Sequence, residues 1–273
     1  MRLLIFLLII IIANLSIAQN SVIELEKSDS VKHNKILVVP LNPKLYFSDS
    51  DHILEEYNER TSDQIFYRWR SAIDINTTVY LMALNKVQSM LMDTSWDVTQ
   101  DIKALYQSVT YGYETSSRAR LEEEANGKKF FNKVKDKVSE LSEKVTEDKS
   151  KINHPGAGEL GEEKEKIDNE FKFMNVTMAR PEMLQFYAEK YECDEFLFIT
   201  QFELRTLYPT HADRWTNNYT RQIALHYAVY DQRSQLKYGD VVRVTFDSNS
   251  NDLETIIRNT LPFAAQKIAE SIR

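Results

Sequence analysis

The sequence predicts an α/β domain of α+β-like character: a mixed, mainly antiparallel sheet of four to five strands flanked by helices, with a charged helical insertion. Three observations carry that expectation. Residues 35–40, Lys-Ile-Leu-Val-Val-Pro, form a short β-branched apolar run closed by proline, the profile of a buried strand. Residues 196–246 hold three successive strand patterns separated by polar turns. Apolar residues at helical spacing fill 64–93 and 253–272, before and after those strands.

The chain opens with Met1-Arg2, a short positive start, then an unbroken apolar run over 3–12, then Ser16-Ile17-Ala18 before Gln19. In that order these parts read as a secretory signal peptide over 1–18. Asn14 and Ser16 end the run short of the roughly 20 apolar residues that a membrane helix needs. The expectation is cleavage near Ala18-Gln19 and a periplasmic or secreted mature protein. No cysteine stands at the cleavage point, so a lipoprotein is not expected. Residues 19–34 are polar without a period and read as a flexible leader.

The domain then runs over 35–273. After the first strand, 42–61 reads as an irregular loop rich in Asp, Asn and Ser. Ser62-Asp63 can cap a long helix over 64–93, weakened in the middle by Asn76-Thr77-Thr78. A second helix is expected over 98–109, with Ile102, Leu105 and Val109 on one face. At about 114–170 the charge becomes dense and mixed. There Phe131, Val134, Val138, Leu141, Val145 and Ile152 step by 3, 4, 3, 4 and 7 residues, a heptad seam of three repeats. This helical insertion has three readings: a helix packed on its own domain, a partner or self-association helix through 131–152, or a solvated arm.

Beyond the insertion, 171–178 reads as a short strand, and Pro181 suits the first turn of a helix ending near Glu192. Phe196-Leu197-Phe198-Ile199 is apolar on both faces, as in a central covered strand. Residues 208–217 form a loop. Then Ile223, Leu225, Tyr227 and Val229 alternate on one face, as do Tyr238, Val242, Val244 and Phe246 on the next strand. The closing helix carries Leu253, Ile256, Ile257, Leu261, Ala264, Ala265, Ile268 and Ile272 as its buried stripe, with a kink expected at Pro262.

Three segments resemble a known group. Lys35-Ile36-Leu37-Val38-Val39-Pro40-Leu41 resembles the opening strand of the bacterial envelope domains typified by the TolB amino-terminal domain, whose α/β core also occurs in CsgG and LpoB. The run Tyr187-Ala188-Glu189-Lys190-Tyr191-Glu192-Cys193-Asp194-Glu195-Phe196-Leu197 is similar to that group's helix before a core strand. Tyr230-Asp231-Gln232-Arg233-Ser234-Gln235-Leu236-Lys237-Tyr238-Gly239 looks like the hairpin between its last two strands. The resemblance spans roughly 35–110 and 171–273. It implies a cell-envelope protein acting through partner contacts. The lipid-attachment cysteine of the lipoprotein members is missing, and the insertion is not part of their shared core.

Composition narrows the function classes. The formal charge of −7, which becomes −8 once Arg2 is removed, disfavours general nucleic-acid binding. The single cysteine, Cys193, flanked by Glu192 and Asp194, allows no intramolecular disulfide and reads as a small buried residue. Its five histidines make no HExxH pair, and GxSxG, P-loop and CxxC patterns are absent. No catalytic residue, metal site or cofactor is expected. Asp49-Ser50-Asp51-His52 reads as a polar loop capping a helix, and His226 as a satisfied structural histidine. Three Asn-X-Thr acceptor patterns, at Asn76, Asn175 and Asn218, carry no weight in a bacterial envelope protein.

The interaction candidates are therefore aromatic and arginine residues, the usual interface anchors. Tyr208, His211, Arg214 and Trp215 belong to the 208–217 loop. Phe130, Phe131, Val134, Val138 and Leu141 belong to the insertion. The first expectation is a non-enzymatic periplasmic adaptor or assembly protein binding other envelope proteins. The alternative is a small-molecule or glycan-binding module using a cleft between the 42–61 and 208–217 loops.

Overall fold

A computed structural model describes residues 35–126, 171–208 and 219–272. The expected signal peptide, the leader and the heptad seam lie outside the described residues. The elements run β1 (Lys35–Val39), β2 (Tyr46–Ser48), α1 (Asp51–Asn58), α2 (Ser62–Met82), β3 (Lys86–Ser89), α3 (Trp96–Gln107), β4 (Val109–Thr115) and α4 (Ser117–Asn126). They continue with β5 (Lys172–Met178), α5 (Glu182–Tyr191), β6 (Glu195–Leu207), β7 (Thr220–Asp231), β8 (Leu236–Asp247) and α6 (Leu253–Ser271).

The expected mixed sheet flanked by helices is present, with six strands in the order β3-β1-β6-β7-β8 and β2 also paired to β6. β1 runs parallel to β3 and to β6, and β2 parallel to β6. The long pairings β6–β7 and β7–β8 are antiparallel. Alternation divides the core between the two faces. Ile36, Val38, Leu197, Ile199, Leu225 and Tyr227 pack toward α2 and α6. Leu37, Val39, Phe196, Phe198, Ala228 and Tyr230 pack toward α3, α5 and the antiparallel pair β4–β5. Residues 196–199 are buried on both faces because α2 and α6 cover one face of β6 and α3, α5 and the β4–β5 pair cover the other.

The β4–β5 ribbon docks through polar contacts at its centre. Thr200 Oγ1 donates to the Met174 carbonyl at 2.6 Å, and the Met174 N–H donates to His226 Nδ1 at 2.9 Å. Tyr230 donates its hydroxyl to Asn175 Oδ1 at 2.9 Å. Phe173, fully buried, sets its ring directly over Gly239 of β8.

Several expectations change. The helix over 64–93 stops at Met82, and 86–89 is strand β3. Four residues are too few to display a two-residue period, so Val87 fell into register with the helix before it. Asn76-Thr77-Thr78 does not interrupt α2, since Asn76 Nδ2 donates to the Ala72 carbonyl at 2.8 Å. Thr61 caps this helix, not Ser62-Asp63: its hydroxyl accepts from Gln64 N while Gln64 Oε1 accepts from Thr61 N. The 42–61 loop contains β2 and α1. The second helix ends at Gln107, and Val109 opens β4.

The start of the insertion moves as well. β4 runs to Thr115, and α4 packs on β8, with Ala119 buried and Ser117 Oγ accepting from Gly239 N at 2.9 Å. Residues 114–119 are thus part of the packed domain. At the other end, α6 runs unbroken through Pro262, and Asp252 caps it by accepting from Thr255 N at 2.7 Å. Among the described residues no helix is long and apolar enough to cross a membrane.

Candidate functional site

β8 ends the sheet, and among the described residues β7 is its strand partner. Its odd-numbered amides face outward. Gly239 N donates to Ser117 Oγ, and Val241 N donates to the Asp240 carboxylate at 2.8 Å. The even residues Asp240, Val242 and Val244 sit opposite Tyr227, Leu225 and Ile223 of β7.

A groove of about 480 Å³ follows this edge. Arg118 of α4 forms one wall, and Phe263, Lys267 and Glu270 of α6 form the other. Tyr227, Tyr238 and Val242 contribute apolar surface, and Arg243 lines it too. Tyr227 and Ser271 join by their hydroxyls at 2.7 Å, tying α6 to the sheet. Phe263 is 48% exposed, a large apolar ring left on the groove wall.

Asp240 is the buried charge of this site. Burial raises its pKa above the usual carboxylate range, opposed by the Val241 N–H, Arg118 and Arg243. Arg118 Nε stands 3.5 Å from its carboxylate. Lys267 pairs with Glu270 at 2.9 Å across one helical turn. The groove thus combines a sheet edge, apolar rings and charges of both signs, with the Gly239 and Val241 amides already bonded within the protein. Among the described residues, no group of three or more His, Cys, Asp or Glu could hold a metal ion.

Of the interaction candidates, Tyr208 is described. It is half-buried at the end of β6, with its ring 5.6 Å from that of Tyr219. His211, Arg214, Trp215, Phe130, Phe131, Val134, Val138 and Leu141 lie outside the described residues. The 42–61 segment meets the end of β6, where Asp49 Oδ2 accepts from Thr206 N at 2.7 Å, while the expected 208–217 loop beyond Tyr208 lies outside the described residues. Ser50 is the N-cap residue of α1 but makes no side-chain cap bond, and Asp51 and His52 lie inside that helix rather than in a loop.

His226 is fully buried and structural at Nδ1, as expected, but its Nε2 finds no hydrogen-bond partner and stands 3.8 Å from Glu203 Oε1. Burial, then Arg243 and Arg205, push its pKa down to about 3, which keeps the ring neutral. Cys193 is buried, and burial pushes its thiol up to about 12. Native protein is expected to react with a thiol-specific disulfide reagent far more slowly than urea-unfolded protein. Equal rates would show that Cys193 is accessible.

The sequence reading missed Asp240, Phe263 and Arg118. A lone Asp within an otherwise β-branched strand was the available signal for an edge, since edges are commonly guarded by charge. Compared with known protein families, with curated proteins and with solved structures, the chain matches none.

Proposed function

We propose that this protein is an exported, non-enzymatic adaptor of the bacterial cell envelope that holds an extended segment of a partner protein along the outer edge of β8. The groove between α4 and α6 carries the reading, because it joins the outer backbone edge of β8 to exposed apolar surface. Strand addition uses both: the backbone supplies affinity and the pockets supply selectivity. The likeness of 35–41, 187–197 and 230–239 to the TolB, CsgG and LpoB group supports a role through partner contacts, and the signal-peptide pattern supports export.

The test is capture of envelope proteins by the tagged mature chain. Thr245→Pro removes an outward donor without touching the bonds to β7, and Phe263→Asp places a charge on the apolar wall. Both variants are expected to keep their circular-dichroism spectrum and lose a partner that the parent captures. Undiminished capture by folded forms of both variants would refute the β8 edge as the docking surface. Trp215→Ala and deletion of 127–168 locate any alternative surface.

A second reading has its own observation. The Asp49–Thr206 contact joins the 42–61 segment to the end of β6, and a small-molecule or glycan module would use this corner. Envelope glycans that raise Tm in the parent and not in Asp49→Ala would favour it.

A further inference from the structure

Arg221, the second residue of β7, is 1% exposed, yet its charge has no carboxylate partner among the described residues. Nη1 donates to the Ser250 carbonyl at 3.2 Å and to Asn251 Oδ1 at 2.8 Å, both neutral acceptors. The guanidinium carbon lies 5.8 Å from the centre of the Tyr219 ring. Nε and Nη2 are closed to solvent and have no hydrogen-bond partner. Burying an ionised group with more than half its donors unmatched is costly, and Arg cannot escape that cost by losing its proton.

The two unmatched nitrogens lie on the same edge of the planar group, the one that faces a carboxylate or phosphate with two parallel bonds. Arg68 in this same protein shows that edge in use. Its Nε and Nη2 meet the two carboxylate oxygens of Glu254 at 2.8 and 2.5 Å.

The nearby Asp49 carboxylate is committed elsewhere. It accepts from Thr206 N at 2.7 Å, from Thr206 Oγ1 at 3.1 Å and from Ser50 Oγ at 2.7 Å. Thr206 is the cross-strand neighbour of Arg221 on β6. Asp247, at the far end of β8, accepts from Asn249 N within its own turn. Among the described residues, the corner is therefore left with one buried cation and an unfilled bidentate edge.

We propose that the Nε–Nη2 edge of Arg221 is an oxyanion-binding site that takes two oxygens of one carboxylate or phosphate group. This site is separate from the β8 groove and does not depend on the adaptor reading. Because both nitrogens are closed to solvent, occupancy requires local opening at the start of β7, so binding is slow relative to diffusion.

The test follows the Arg221 Nε–H resonance of isotope-labelled mature protein during titration with inorganic phosphate and, separately, with acetate. Sodium chloride at matched ionic strength is the control. A saturable shift of that resonance with either anion, together with a raised Tm, is the expected result. The tighter of the two anions identifies the group preferred. Arg221→Lys keeps the charge and loses the fork, and is expected to bind at least tenfold more weakly by calorimetry. If that variant does not fold, the parent titration alone decides. A resonance that neither anion moves, or that chloride moves equally, would overturn the proposal, as would undiminished binding by Arg221→Lys.

Discussion

Gly239→Ala is expected to destabilise the domain by about 3 kcal/mol, the upper part of the range for overpacking a tight site. An added Cβ would lie 2.2 Å from Cζ of Phe173 and 2.4 Å from Cε2. Those atoms end a side chain that could swing aside at a surface, but Phe173 is fully buried on the β5 side of the sheet. The ribbon would have to lift, straining the Met174–His226 and Tyr230–Asn175 bonds that fix it. Phe173→Leu shortens the obstructing ring, so the double variant should recover part of the loss, giving a coupling of about 1 kcal/mol or more. Urea unfolding of the four proteins measures it. Purely additive losses would show that Phe173 and Gly239 do not meet.

Asp74→Asn is expected to stabilise the domain above pH 6. Asp74 on α2 is 1% exposed, and burial is the main reason its pKa rises from 3.8 to about 6. The Ser89 hydroxyl, donating to Oδ2 at 2.5 Å, and the nearby Arg70 oppose that rise without cancelling it. Oδ1 has no partner, and neither do the buried hydroxyls of Thr77 and Thr78 on the same helix. A pKa raised on folding means that the fold favours the protonated carboxyl. Its contribution is full below about pH 4 and is lost as pH rises through about 6. Above that pH the ionised form costs about 3 kcal/mol. Asparagine keeps an acceptor for Ser89 and carries no charge. Urea midpoints should therefore be higher for Asp74→Asn at pH 8 and converge with the parent toward pH 4. A variant less stable at both pH values would show that the carboxylate is well solvated in the fold.

The parts of this fold that are legible in the sequence are those whose burial imposes a long period. β6, β7 and β8 each exceed ten residues, so alternation has room to show, and the faces expected for Ile223, Leu225, Tyr227 and Val229 are the observed ones. α6 reads clearly because its apolar stripe covers one side of that sheet. β3 and β4 are different. β4 buries Val109 and little else, and its partner β5 arrives about sixty residues later, with Val109 opposite Met178. Nothing local marks such a strand. The charged groups of the candidate sites were hidden for a related reason. Asp240 and Arg221 occupy strand positions where charge usually meets water, and only the packing of α4, α6 and the 250–251 turn closes them off. Tyr208, chosen for its chemistry, lies just beyond β6 with Tyr219 beside it.

The adaptor account rests on whether β8 accepts another strand. Hydrogen–deuterium exchange of the mature protein, alone and bound to its captured envelope partner, tests this most directly at the outward amide of the exposed Thr245. The account predicts fast exchange at this amide in the free protein and strong slowing in the complex, with the inward amides of Val242 and Val244 protected throughout. A stable complex in which Thr245 exchanges as fast as in the free protein would contradict it.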